Sequence, residues 1–141
     1  MSTLGFAESN VGRVFPSERR EITDPKTGLP LIVLTSDPSN DAKPYQTHPT
    51  WTADGEWIIF RGTRGGSTPQ AFLVNERTGA IIQLTDGPGN GLGSLNLSRK
   101  AMKLYLARGG RAWGPNVAPE TPERPRQLIE IDLGKLIPDA L

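Results

Sequence analysis

The chain has 141 residues, the size of one ordinary domain, and carries 16 Lys and Arg against 15 Asp and Glu. With charges so balanced and scattered along the chain, there is no electrostatic case for nucleic acid or an anionic membrane surface. No cysteine is present, which removes disulfides, thiolate nucleophiles and cysteine-bound metals, and no run approaches the roughly 18 apolar residues of a membrane span.

Residues 1–13 read as a tail. They contain no apolar core of signal-peptide length, so the cytoplasm is the expected compartment, with the periplasm left open. The 16 glycines and 13 prolines cut the remainder into short pieces and argue against long helices. Residues 14–49 begin with a charged run, Glu18-Arg19-Arg20, expected on a solvated face or as a clasp onto a neighbouring unit. Then comes TGLPLIVLT at 27–35, a Thr-Gly turn followed by an apolar strand. A loop with a tyrosine, KPYQTHP, occupies 43–49.

Residues 50–86 read as four strands. The first, at 50–52, enters the turn Ala53-Asp54-Gly55, where Asp-Gly supplies the positive-φ position of a tight hairpin. The second, at 56–61, holds the run Trp57-Ile58-Ile59-Phe60, which fits burial on both faces. A glycine-rich corner at 62–68, a strand at 70–75, a turn at 76–79 and a strand at 80–85 complete the unit. GPGNGLG at 87–93 lacks the Gly-Lys-Ser/Thr ending of a phosphate loop and reads as a loop between units. Residues 93–141 form a second unit, interrupted at 109–127 by a Pro-, Gly- and Arg-rich insertion with Trp113, Arg111, Arg124 and Arg126. That insertion fits a mobile loop, or the rim of a pocket. The last stretch, IDLGKLIPDAL, reads as a third strand and a turn leading toward a fourth.

The units are related by internal repetition. Residues 27–35 match 78–85: each is Thr-Gly, an apolar run, then Leu-Thr. Residues 51–60 match 97–106 at an offset of 46 (97 − 51), and 72–75 match 129–132 at 57 (132 − 75). The difference of 11 is the insertion. Four antiparallel strands repeating at about 40–50 residues is the period of a β-propeller blade. A β-sandwich carries similar hairpins, but the repeat fixes strand order as well as type, which favours the propeller. Trp51 and Trp57, flanking the turn, are expected to pack between neighbouring blades. The fold expected is all-β: about two blades of an incomplete propeller.

At HPTWTADGEWIIFRGTRGG and FLVNERTGAIIQLTDG the chain resembles the TolB-type propeller repeat. Upstream, PSERREITDPKTG (16–28), the apolar strand ending Leu-Thr and the Tyr45 loop resemble the opening of oligogalacturonate lyases. The resemblance covers roughly 14–133. It implies a seven-bladed propeller in which 14–49 gives outer strands of the blade that closes the ring, and this chain is an N-terminal fragment. Exposed blade faces would then favour self-association.

The resemblance also implies an activity, β-elimination on short unsaturated galacturonides, with an acidic oligogalacturonide as partner. For the full-length family member it implies manganese held mainly by histidines, a histidine base and nearby arginines. This chain has one histidine, so it offers no such set, and neither a catalytic residue nor a metal ligand is carried over. Three residues are candidates for contact with the sugar: His48, Tyr45 and Arg61. His48 at the start of an inner strand either faces the substrate or caps the Pro49 turn. Arg61 suits a uronate carboxylate, whereas Arg64 in the corner is expected to brace backbone carbonyls. A second function class stays open, a non-catalytic propeller segment binding protein or glycan.

Overall fold

The computed structural model describes residues 9–44, 46–66, 68–109 and 125–138. Alternation in the apolar strands produces two sheets that share one core. The first is four-stranded, in the order β1 (Val14–Phe15), β6 (Ile81–Gln83), β5 (Gln70–Asn75), β4 (Trp57–Gly62). The second runs β7 (Asn96–Leu97), β8 (Lys103–Arg108), β9 (Gln127–Asp132). A separate hairpin pairs β2 (Arg20–Thr23) with β3 (Pro30–Val33). All pairings are antiparallel.

Every residue of β5 is buried, as a central strand covered on both faces requires. Trp57, Ile59, Ala71, Leu73, Ile82 and Leu84 form one core with Leu95, Leu97, Leu104, Leu106 and Leu133 of the second sheet. Phe60, Phe72, Val74 and Ile81 face the other way, under Phe15 and Leu34. Each fully buried aliphatic or aromatic side chain contributes about 1.5–3 kcal/mol, so the sheet–sheet seam is the main source of stability.

The internal repeat is present in the hydrogen bonding. Thr52 N–H donates to Trp57 O at 2.9 Å, and Ser98 N–H, 46 positions on, donates to Lys103 O at 2.9 Å. Trp57 pairs with Asn75, and Lys103 with Asp132. The turns of the β2–β3 and β5–β6 hairpins are also alike. Gly28 N–H donates to Asp24 O and Gly79 N–H to Asn75 O, both at 2.8 Å, and the Asp24 and Asn75 side chains accept from the turn backbone.

The two turn glycines differ in surroundings, which gives a paired prediction. Both have positive φ, +75° at Gly28 and +78° at Gly79. Alanine at either carries the left-handed penalty of roughly 1–2 kcal/mol. A Cβ at Gly28 meets nothing within 4 Å, whereas one at Gly79 collides with Ser17 Oγ and with Arg19 Cβ at 2.7 Å. Gly79→Ala is therefore expected to lower the urea midpoint clearly more than Gly28→Ala. Equal losses would contradict the packing of residues 17–19 on that turn.

Three features differ from the sequence reading. The strand expected at 50–52 is a single bridge, Trp51 to Ile58, because the chain leaves the sheet edge before it. Val14–Phe15 joins the outer edge of the first sheet, Val14 opposite Ile82 and Phe15 opposite Ile81. Trp57 is 3% exposed in the seam, but Trp51 is 40% exposed, since it shares the face of Ile58, which the second sheet does not cover. Past β9 the expected turn takes the form of a short helix, α1 (Leu133–Leu136). Leu133 is fully buried in the seam and its N–H donates to Met102 O, which draws the chain inward there. Trp113, Arg111 and Arg124 of the insertion lie outside the described residues. Among the described residues no helix is long and apolar enough to cross a membrane.

Candidate functional site

The inner edge of β4 is where the candidate residues gather. Ala42 exchanges both backbone hydrogen bonds with Arg61 at 2.8 Å, and Ile59 N–H donates to Thr50 O at 2.9 Å beside the Trp51–Ile58 bridge. Nine residue steps on one side (51 − 42) thus face three on the other (61 − 58). The surplus, residues 43–49, must arch off the sheet. Gln46 and Thr47 on the arch are exposed and His48 is half-buried. Tyr45 lies outside the described residues. The second sheet repeats the arrangement in shorter form: Asn90 bridges Arg108, Gly91 N–H donates to Ala107 O at 2.7 Å, and one 3-10 turn, Leu92–Ser94, fills the gap.

Arg61 is half-buried, and strand alternation puts it on the side of Trp57 and Ile59, toward the second sheet. It makes no ion pair among the described residues, so its guanidinium is available to a carboxylate from outside. The arch starts beside Arg61 and carries His48 on its return. The fold therefore brings these two to one sheet edge.

Arg64 is placed otherwise. It is 5% exposed, and it donates through Nε and Nη2 to Glu18 at 3.0 and 2.8 Å and through Nη1 and Nη2 to Asp41 at 3.0 and 2.8 Å. Two carboxylates hold it, not the backbone carbonyls expected from the sequence. Its guanidinium also lies 5.4 Å from the Phe60 ring centroid and 5.8 Å from that of Phe72. Glu18 accepts in addition from Ser36 N–H at 2.8 Å and Asp37 N–H at 3.0 Å. Glu18 precedes β2 and Ser36 follows β3, so the cluster clasps the base of the hairpin to the corner of the first sheet.

Burial works against the charges in this cluster, but the partners outweigh it. Glu18 is held below the ordinary glutamate range by the Asp37 N–H, Arg64 and the Ser36 N–H, and Arg64 is pushed up by Asp41 and Glu18. A carboxyl whose pKa is lower when folded adds stability above its unfolded pKa, and that stability is lost as pH falls through the folded value. The clasp is thus expected to persist through mildly acidic pH and open below the normal glutamate range. Glu18→Gln should flatten the acid side of the stability–pH curve; an unchanged acid side contradicts the clasp.

Other carboxylates are engaged in turns and edges. Asp24 accepts from Thr27 Oγ1 at 2.6 Å and from Lys26 N–H, Asp86 accepts from Asn10 N–H, and Glu130 accepts from Tyr105 Oη and Lys103 Nζ. Among the described residues no group of three His, Asp or Glu side chains is placed to hold a metal ion. Among the described residues, the one histidine and the turn-bound carboxylates do not fit a manganese site.

Sequence reasoning missed Asp41 and Asn90. Asp41 lies against Gly62, where any Cβ would strike its Oδ1, so the glycine ending an apolar strand was its only trace. Asn90 accepts from Arg108 Nε at 2.8 Å and donates to Gln70, Asp86 and Gly87, joining the two sheets through a loop that read as mere linker.

No protein-family model and no curated protein sequence matches the chain. Solved structures do. An oligogalacturonate lyase in complex with manganese is similar at TM-score 0.70 and 24% identity, over 90% of this chain and 30% of that one. The oligogalacturonate lyase of Vibrio parahaemolyticus is similar at TM-score 0.69 and 20% identity, over 90% of this chain and 29% of that one. The chain thus has the fold of part of these lyases, a partial β-propeller, and spans about three tenths of their length.

Proposed function

We propose that the chain is the N-terminal part of an oligogalacturonate lyase that cleaves short unsaturated galacturonides by β-elimination in pectin breakdown in the cytoplasm. The observation that carries this reading is the fold likeness to two such lyases across 90% of the chain. It agrees with the resemblance of PSERREITDPKTG to the opening of that family. The proton removed in such a reaction lies α to a uronate carboxylate, and neutralising that carboxylate lowers the cost of the carbanion-like transition state. Manganese in the neighbouring lyase supports a metal for the complete protein. The share of the work assigned to this chain is holding the sugar. Arg61 pairs with a uronate carboxylate, and His48 on the arch, together with Tyr45 from the same stretch of sequence, hydrogen-bonds the ring hydroxyls.

The second reading, a non-catalytic segment that binds glycan or protein, is favoured by the single histidine in the sequence. One experiment bears on both. The purified chain, given unsaturated digalacturonate and manganese, is expected to bind the sugar weakly and turn none of it over. Arg61→Ala is expected to abolish that binding. Measurable turnover would show that the catalytic set lies within these residues, and sugar binding indifferent to Arg61→Ala would remove the proposed contact.

A further inference from the structure

At its Trp57 end the seam between the two sheets opens into a cavity of about 290 Å³. The Asp-Gly turn before β4, the turn after β5 and α1 with the residues that follow it meet there. The floor is apolar: Trp57 belongs to the seam core, and Met102 and Ile137 pack against it. The walls are polar, with Asp54 and Glu56 from one turn and Asn75 and Arg77 from the other. Arg61 stands four residues further along β4 (61 − 57), about 13 Å at the usual rise of a strand, so this cavity is separate from the sugar contacts proposed above.

Asn75 is only 2% exposed, yet it lines this cavity. Its Oδ1 accepts from Arg77 N–H at 3.0 Å and from Thr78 N–H at 2.9 Å, which fixes the orientation of the amide. Its Nδ2 carries two protons and has no acceptor among the described residues. The turn itself needs only the acceptor. In the matching hairpin Asp24, 51 positions earlier (75 − 24), serves the turn with a carboxylate and accepts from Lys26 N–H at 3.1 Å. A buried donor without a partner is costly and rare. The groups around it are open as well. Asp54 uses Oδ1 for Thr52 Oγ1 and Glu56 N–H, which leaves Oδ2. The side chains of Glu56 and Arg77 form no ion pair or hydrogen bond among the described residues.

We infer that this cavity binds one neutral sugar ring, with Asn75 Nδ2 and Arg77 as donors and Glu56 and Asp54 Oδ2 as acceptors. A hydroxyl both donates and accepts, so neighbouring hydroxyls of a pyranose can use the amide, the guanidinium and the carboxylates together. The C–H face of the ring then lies on Met102 and Ile137. Both signs of charge line one small cavity, so an ion entering it meets a like charge, whereas a neutral polyol does not. The volume is at the small end for ligand pockets, which suits a single ring and not a chain of them. This inference rests on the cavity and the unpaired amide and not on the lyase reading, so either can fail alone.

The test is a titration of the isotope-labelled full chain with methyl β-galactopyranoside, followed by NMR through the Asn75 side-chain amide and the backbone amides of Arg77 and Gly134. Saturable shifts of these signals are expected, unchanged by Arg61→Ala. Asn75→Asp keeps the acceptor that the turn needs and removes the donor, and it should weaken binding at least about tenfold. Arg77 is exposed, so Arg77→Ala leaves the fold intact by circular dichroism and should weaken binding as well. Absence of saturable shifts, or shifts indifferent to Arg77→Ala, overturns the inference. Shifts abolished by Arg61→Ala overturn it too, because the sugar would then sit at the other end of β4. Tighter binding of digalacturonate or of leucine at these signals would show an anion or a zwitterion to be the ligand and overturn the neutral-sugar assignment.

Discussion

Arg64→Ala is expected to destabilise the chain by about 3–5 kcal/mol, the usual cost of breaking a buried pair from one side. The guanidinium supplies four hydrogen bonds to Glu18 and Asp41, and its loss leaves two carboxylates facing each other without a cation. Their side chains are only 18% and 11% exposed, so water relieves little of that repulsion. The loss should appear as a lower urea midpoint. Glu18→Gln and Asp41→Asn added to Arg64→Met should recover most of it, because the uncompensated charge is then gone. If the single variant loses under 1 kcal/mol, the cluster is a surface ion pair in effect and not a clasp.

Phe72→Ala carries the second large effect, about 3–5 kcal/mol for a buried aromatic truncated to alanine. Phe72 is fully buried at the middle of β5. It stacks on Phe60 at 5.4 Å and meets Phe15 edge-on at 5.9 Å. The cavity would open beneath the Arg64 guanidinium. The two losses should therefore fall short of additive in the double variant, since both remove contacts of one cluster. Phe72→Leu keeps most of the volume and should lose far less. Additivity within about 0.5 kcal/mol would mean that the ring and the clasp act independently.

What the sequence made legible was periodic or local. The Asp-Gly and Thr-Gly turns, the strand at 70–75 and the 46-residue register all follow from patterns a few residues wide, and each has its counterpart in the hydrogen bonding. What it hid was non-local. Nothing beside Glu18 in the chain says that it meets Arg64, 46 positions on, or that Asp41 completes the pair. The missing strand at 50–52 has the same cause. Residues 43–49 arch outward because Ala42 takes up a place on β4 first, a choice made by tertiary pairing and not by local propensity. Trp51 shows the limit of pattern reading. Its position in the repeat is a core position, and only the structure reveals that nothing described covers it.

The central claim is that these residues are part of a longer lyase propeller, and the coding sequence beyond the codon for Leu141, read in all frames, tests it most directly. The account predicts further four-stranded repeats at about 40–50-residue spacing, with several histidines on their innermost strands. A genuine stop codon followed by unrelated sequence would contradict it.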